Sequence, residues 1–189
     1  MNEVRIIPIQ GIPEIKVDDN LAEITFDVLS KSEIGIEKND IFVVTQKIVS
    51  KSEGMVRDLL NYDFDELLYS ESKKIIRKRG DLVIAKTHHG FICANAGIDK
   101  SNVKINSALL LPEDPNKSAD RFRKRFESLT NLPIAVIISD TITAIGKLAN
   151  DSNLFRNLYA DLLGSSGSSK AEFFFTFDLS IPAFAQINP

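Results

Sequence analysis

The sequence predicts an α/β protein with a mixed α+β sheet, and three observations support this class. Two apolar runs of strand length, DIFVVT at 40–45 and PIAVIIS at 133–139, are typical of strands buried on both faces. The segments LVIAK at 82–86 and FICAN at 91–95 are joined by THHG, which has the length of a hairpin loop. ADRFRKRFESL at 119–129 places apolar residues on one face of a helix. Strands and helices intermix with hairpin pairing, which does not fit a pure Rossmann alternation.

The N-terminal region begins with a predicted strand, RIIPI at 5–9. The segment QGIPEI follows it and has the composition of a turn that contains Gly11. A helix is then predicted, because apolar residues recur at helical spacing. Either Asp18 or Asp19 is placed to cap its N-terminus, and Gly35 is placed to end it.

The remaining segments give weaker predictions. KKIIRKRG at 73–80 is interpreted as a solvated helix face in preference to a phosphate contact, and Ser118 is the predicted cap of the helix at 119–129. After Thr141 the chain is predicted to form a helix over 142–163 and a Gly/Ser linker. The aromatic stretch that begins at Ala171 has the composition of an edge strand. We therefore divide the chain into a body, 1–141, and a divergent region, 142–189.

Composition excludes several classes of protein. The chain has 189 residues, of which 43% are hydrophobic and 26% charged, as in globular proteins. Its net charge of -3 provides no bulk attraction to nucleic acid or acidic lipid. No apolar run approaches the roughly 18 residues of a membrane span, so we expect a cytoplasmic protein without a membrane partner. A single cysteine, Cys93, excludes an internal disulfide and is predicted to be a small buried hydrophobe.

Two aspartates follow predicted strands. Asp99 comes after FICAN and a short turn, and Asp140 comes directly after AVIIS. Carboxylates at strand ends are well placed to hold a divalent cation, and oxygen ligands suit magnesium or manganese. Thr141 would add a hydroxyl. The alternative, that both aspartates only cap turns or helix starts, remains open.

A third candidate is TQKIVSKSEG at 45–54, which follows a predicted buried strand. Lys47 and Lys51 would allow this segment to bind phosphate through side chains, since neither standard glycine-rich phosphate loop is present. The alternative is a polar loop that enters a helix. His88 and His89 are adjacent and poorly placed to bind one metal together, so a loop or packing role is preferred.

Taken together, five segments resemble the coenzyme F420-0:L-glutamate ligase family. They are, in order, QGIPEI, DIFVVTQKIVSKSEG, HGFICANAGIDKSNV, LLLPEDPNKSADRFRKRF and AVIISDT. The resemblance extends over about residues 1–141, and its most specific parts are NAGIDKSNV and TQKIVSKSEG.

The resemblance implies a GTP-dependent ligase that adds L-glutamate to coenzyme F420-0 through an acyl phosphate, extending a γ-linked tail. It also implies an F420 ligase-like α/β fold, a homodimer and a requirement for Mg²⁺ or Mn²⁺, with K⁺ as a further cation. No protein nucleophile is implied, since the carboxylate of the substrate attacks the phosphate itself.

The resemblance also implies roles for individual residues. The positions that match nucleotide contacts are Gly11, Ile12, Pro13, Glu14, Gln46, Lys47, Lys51 and Asn102. The positions that match metal ligands are Asp99, Asp140 and Thr141. The cation would neutralise the triphosphate and the charge that develops during phosphoryl transfer.

The chain departs from the family pattern after Thr141. Family members continue with an NGR-type stretch and a glycine-rich region, whereas this chain continues ITAIGKLANDSN. We therefore expect a form of the fold that is truncated at its C-terminus. Two alternatives remain open: an inactive homologue that retains only part of the metal and GTP site, and a related ligase with a different acid acceptor.

Overall fold

The computed structural model describes residues 4–100, 103–139 and 171–176. Its elements in chain order are β1 (Val4–Ile9), α1 (Leu21–Ser30), β2 (Ile41–Thr45), α2 (Gln46–Ser52), β3 (Val56–Asp58), α3 (Phe64–Glu71), β4 (Ser72–Arg79), β5 (Leu82–Thr87), β6 (Ile92–Ala94), a 3-10 turn (Asn95–Gly97), β7 (Ser107–Leu109), α4 (Pro115–Thr130), β8 (Ala135–Ser139) and β9 (Ala171–Thr176).

Four of these strands form a parallel sheet of order β1-β9-β2-β8. All five residues of β2 are buried, as the apolar run predicted. The prediction of an edge strand from Ala171 onward was wrong for β9, which lies between β1 and β2. The helix predicted over 142–163 and the linker after it lie outside the described residues.

The helix caps differ from those predicted. Asn20, not Asp18 or Asp19, caps α1, because its side-chain oxygen accepts a hydrogen bond from the backbone N–H of Glu23. The helix ends at Ser30 and does not reach Gly35.

Helix α4 also begins earlier than predicted. Asp114 is its N-cap and Pro115 occupies the first turn, where the missing N–H of proline costs nothing. Ser118, the predicted cap, lies inside the helix, and its hydroxyl donates to Glu53 at 2.5 Å. The preference of Ser for caps was therefore overridden by an aspartate and a proline just upstream.

Helices α1 and α4 pack together beside the parallel sheet. The centre of this core is aromatic: the ring centroid of Phe126 lies 4.5 Å from that of Phe42 and 5.8 Å from that of Phe122. Phe126 is fully buried, as is Phe42. Aromatic residues contribute large apolar areas to a core, and this packing fixes the position of β2, from which α2 emerges.

The antiparallel pairs are in two smaller sheets, β3-β7 and β4-β5-β6. The prediction of a helix over 73–80 was wrong, since these residues form β4, which pairs with β5. Tertiary pairing prevails here over a charged composition that is also compatible with a helix. The turn after β4 contains Gly80, with φ +58°. The hairpin predicted between β5 and β6 is confirmed.

The predicted fold class is confirmed, with the qualification that parallel and antiparallel pairs belong to separate sheets. The interpretation of Cys93 as a buried residue was wrong: it is only half-buried, because β6 is a three-residue strand with exposed neighbours. Within the described ranges, no helix is both long and apolar enough to cross a membrane. The division of the chain at residue 141 remains a prediction.

Candidate functional site

Two of the predicted site segments begin at one edge of the parallel sheet. Because its strands are parallel, β1, β2 and β8 all end at this edge, and Thr45 at the end of β2 pairs with Ser139 at the end of β8. The segment from Gly11 to Glu14 follows β1, and the segment that contains Lys47 and Lys51 follows β2. Open α/β sheets bind ligands outside the carboxyl ends of their strands. Asp140, Thr141 and Asn102 lie outside the described residues.

Helix α2 begins at the residue after β2, with no loop between them. The alternative interpretation, a polar loop that enters a helix, does not describe this segment, because the helix starts at Gln46. The side-chain amide of Gln46 donates to Ser50 Oγ at 2.7 Å and to the backbone oxygen of Leu110 at 3.2 Å. Gln46 therefore anchors α2 to the segment after β7.

Lys47 and Lys51 lie one turn apart on α2, and each side chain is only 8% exposed. The ammonium of Lys47 lies 2.6 Å from Asp99 Oδ2, and that of Lys51 lies 2.9 Å from Glu14 Oε1. Burial of an ammonium group is costly unless it is paired, and two positive charges at this helical spacing repel each other. The carboxylate partners are 28% and 65% exposed. The site thus holds two buried positive charges beside carboxylates that remain open to solvent.

Asp99 is held in place by the backbone. Its N–H donates to Leu109 O at 2.9 Å, and Leu109 N–H donates back to Asp99 O at 2.8 Å. The strand before Asp99, β6, belongs to the antiparallel sheet β4-β5-β6 and not to the parallel sheet. Asp99 reaches Lys47 through the 3-10 turn and the bridge to Leu109.

The turn before Asp99 has an unusual backbone. Asn95, Ala96 and Gly97 have φ values of +47°, +54° and +79°. Left-handed conformation is uncommon for residues other than glycine. A β-carbon added at Gly97 would lie 2.7 Å from Leu111 Cδ1. A side chain at Gly97 would therefore require the side chain of Leu111 to move. The turn directs the chain toward Asp99.

The segment after β1 forms an ion pair with α2. Gly11 has φ +86°, which allows the chain to turn after β1. Ile12 packs against the core, and Pro13 is exposed. Glu14 forms the contact with Lys51. The structure therefore brings Glu14, Lys47, Lys51 and Asp99 into one row of charges.

The histidines and Cys93 take no part in this row. His88 donates from Nε2 to Ser70 O, and His89 donates from Nε2 to Glu113 O, both at 2.9 Å. These bonds support the preferred interpretation that the histidines have a loop role. The part of the chain that the structure describes contains no group of three or more metal-ligating residues. Of the three predicted metal ligands, only Asp99 is described; its carboxylate is the right donor type for Mg²⁺ or Mn²⁺, but it is shared with Lys47.

Sequence reasoning missed a cavity of 580 Å³ that has Asp99 in its wall. Its charged side chains include Asp65, Lys78, Asp81 and Lys100. The segment KKIIRKRG contained the information needed to place Lys78. In a strand, alternate residues point to opposite faces. Lys78 pairs with the buried Val83, so the two side chains lie on the same face of the sheet. Because the segment was interpreted as a helix, the sequence did not place Lys78 on this face.

Fold and site together define an α/β protein with a lysine-rich site at the carboxyl edge of a parallel sheet. The family model described as F420-0:Gamma-glutamyl ligase matches residues 10–152. The chain belongs to this F420-0:gamma-glutamyl ligase family.

Individual relatives carry matching names. The chain is 34% identical over 155 residues to the coenzyme F420:L-glutamate ligase of Methanothermobacter thermautotrophicus, covering 73% of this chain and 62% of that protein. It is 35% identical over 155 residues to the protein of the same name from Archaeoglobus fulgidus, covering 73% and 60%. It is 30% identical over 155 residues to the protein of that name from Methanopyrus kandleri, covering 73% of this chain and 60% of that protein. The chain therefore spans about three fifths of the length of these relatives.

Proposed function

We propose that this chain is a GTP-dependent ligase that joins L-glutamate to coenzyme F420-0 through an amide bond, in the formation of a γ-glutamyl tail. Membership of the family supports this proposal, as do the names of the relatives. The single observation that carries it is the pair of buried lysines, Lys47 and Lys51, at the carboxyl edge of the parallel sheet.

The proposed reaction has two steps. A carboxylate oxygen of the acceptor attacks the γ-phosphorus of GTP, the bond from that phosphorus to the bridging oxygen breaks, and GDP leaves. The amine nitrogen of glutamate then attacks the acyl carbon, the bond from that carbon to the phosphate oxygen breaks, and the nitrogen loses a proton. Catalysis of phosphoryl transfer consists mainly of positioning and charge stabilisation, so no protein nucleophile is required.

In this proposal the two lysines bind the phosphates. Lys47 and Lys51 are four residues apart on one face of α2 and present two ammonium groups to the same side. Charge-assisted hydrogen bonds to phosphate oxygens are stronger than neutral ones. When nucleotide binds, the carboxylates of Asp99 and Glu14 would have to share or release their lysines. Glu14 is the more exposed of the two and moves at lower cost.

The cofactor is part of the same proposal. Asp99, together with Asp140 and Thr141, would hold a Mg²⁺ or Mn²⁺ ion, with K⁺ as a further cation. A divalent ion supplies charge neutralisation on the phosphates. We also propose a homodimer in the cytoplasm, without nucleic-acid or membrane partners; the net charge of -3 supports the absence of a nucleic-acid partner.

A second candidate is an inactive homologue that binds metal and GTP without turnover. The observation that favours it is the departure from the family pattern after Thr141, where the chain continues ITAIGKLANDSN. In that case the row of charges at α2 would still bind nucleotide, but no amide would form.

One assay separates the two candidates. Purified protein is incubated with GTP, MnCl₂, F420-0 and L-glutamate, and products are followed by liquid chromatography and mass spectrometry. The ligase proposal predicts GDP and a coenzyme heavier by one glutamyl residue, both absent with Asp99→Asn. Metal-dependent GTP binding by calorimetry without product supports the inactive homologue, and the absence of GTP binding contradicts both.

A further inference from the structure

The cavity beside Asp99 has a wall of mixed charge. Two cationic side chains, Lys78 and Lys100, and two acidic ones, Asp65 and Asp81, line the same 580 Å³ space. Its apolar surface includes Val83 and Ile98, both of which are buried. The cavity is thus distinct from the site on α2, where each lysine is already paired with a carboxylate.

The four charged groups do not neutralise one another. Within the described residues, none of Asp65, Lys78, Asp81 and Lys100 forms an ion pair. Lys100 is positioned instead by an aromatic ring, since its ammonium lies 3.6 Å from the centroid of Phe64. A cation over a ring keeps its positive charge available to a further partner. Charges of both signs therefore face one cavity and remain available to a ligand.

This pattern selects a class of ligand. A nucleotide triphosphate is a poor fit, because the carboxylates of Asp65 and Asp81 would repel its phosphates. A purine base is neutral and would leave the charges unused. A small molecule with an ammonium group and more than one carboxylate complements both signs at once, and such complementary charges favour specific recognition.

We propose that this cavity binds the amino-acid co-substrate, L-glutamate. Lys78 and Lys100 bind its carboxylates, and the acidic side chains Asp65 and Asp81 bind its ammonium group. The inference rests on the proposed function for the identity of the amino acid, and on the cavity itself for the class of ligand. Asp99 is shared by the cavity wall and the Lys47 ion pair, so an amine held here lies beside the proposed phosphate site.

The test is an equilibrium titration that does not need turnover. L-Glutamate is titrated into the protein by calorimetry in the presence of a non-hydrolysable GTP analogue. Loss of one charged contact is expected to weaken binding about tenfold or more in Lys78→Gln and in Asp81→Asn. Lys74→Gln is the matched control: Lys74 lies on the same strand but pairs with Lys86 on the outward face, and its substitution leaves binding unchanged.

A second ligand tests the assignment of charges. Glutarate has both end carboxylates but no ammonium, so it is expected to bind the wild type more weakly than L-glutamate. Its affinity should fall in Lys78→Gln but not in Asp81→Asn. Equal sensitivity of glutarate and L-glutamate to Asp81→Asn would overturn the proposed role of the acidic side.

The outcomes keep this inference separate from the proposed function. If the protein binds glutamate in a way that depends on Lys78 and Asp81 but has no ligase activity, the proposed glutamate site is supported and the proposed function is refuted. Ligase activity whose KM for L-glutamate is unchanged in both variants overturns the cavity and leaves the proposed function in place. The inference is also overturned if the two variants raise the KM for GTP and not the KM for L-glutamate. It is overturned as well if the wild type does not bind glutamate. Circular dichroism of each variant establishes that it is folded.

Discussion

The ammonium group of Lys47 lies 2.6 Å from a carboxylate oxygen of Asp99, although the two residues follow strands of different sheets. Lys47 follows the parallel strand β2, and Asp99 follows the antiparallel strand β6. This ion pair joins the two parts of the molecule at the point where the proposed phosphate site and the mixed-charge cavity meet.

Asp99→Asn is expected to lower both activity and stability. The change leaves Lys47, whose side chain is 8% exposed, with a neutral partner in place of a charged one. A hydrogen bond to a charged group is worth about 1.5–3 kcal/mol, so the free energy of unfolding should fall by up to that amount in urea titrations. Asp27→Asn is the control, because Asp27 is exposed on α1. A variant as stable as the wild type would contradict the importance of this ion pair for the fold.

Glu14→Gln is expected to affect stability much less. Glu14 is 65% exposed, so its ion pair with Lys51 is largely screened by solvent. Exposed ion pairs contribute about 0–1 kcal/mol, and the urea midpoint should shift correspondingly little. A destabilisation equal to that of Asp99→Asn would contradict the difference in burial on which this prediction depends.

Gly97→Ala is expected to destabilise the protein more than Gly90→Ala does. Both glycines have positive φ, +79° and +93°, so both substitutions carry a similar backbone cost. Only at Gly97 does the added β-carbon meet another group, Leu111 at 2.7 Å, since nothing lies within 4 Å at Gly90. Overpacking typically costs about 1–3 kcal/mol. Thermal melts of the two variants measure this difference, and equal melting temperatures would refute it.

The N-cap of α4 predicts a pH dependence of stability. The hydrogen bond from the backbone N–H of Lys117, followed by the contact with its side chain, lowers the pKa of Asp114 below its usual value of 3.8. A lowered pKa in the folded state means that the ionised cap stabilises the protein above pH 3.8 and that this contribution is lost as the pH falls through the folded pKa. Asp114→Ala should therefore be less stable than the wild type at neutral pH, with the difference shrinking in acid. Urea midpoints at several pH values measure this, and a difference that grows in acid would contradict it.

The sequence predicted the elements whose local pattern agrees with their packing. The strand β2 and the helix α4 belong to this class. An unbroken apolar run of this length predicts a buried strand, and an apolar stripe at helical spacing predicts a helix packed on a core. The strand β4 was missed, because its charged sequence is equally compatible with the surface of a helix. Only its pairing with β5 determines that it is a strand. The position of β9 inside the parallel sheet is a property of topology, which its composition does not encode.

The site was predicted unevenly for similar reasons. Lys47 and Lys51 were found because they follow a recognisable strand. The ion pair between Lys47 and Asp99 was not predicted. It depends on the left-handed turn at 95–97 and on the β-bridge between Asp99 and Leu109. The cavity residues were missed because Lys78 reaches the cavity only through the register of β4 against β5. Such long-range contacts depend on the whole fold, whereas helical and strand periodicity are local.

The central claim is that the two buried lysines of α2 bind the phosphates of GTP, and GTP affinity measured by calorimetry in the presence of Mn²⁺ tests it most directly. Wild type and Lys38→Gln, an exposed control, are expected to bind equally well. Lys47→Gln and Lys51→Gln should bind about tenfold more weakly or worse, with circular dichroism showing that both remain folded. GTP affinity unchanged in both folded variants would contradict the account.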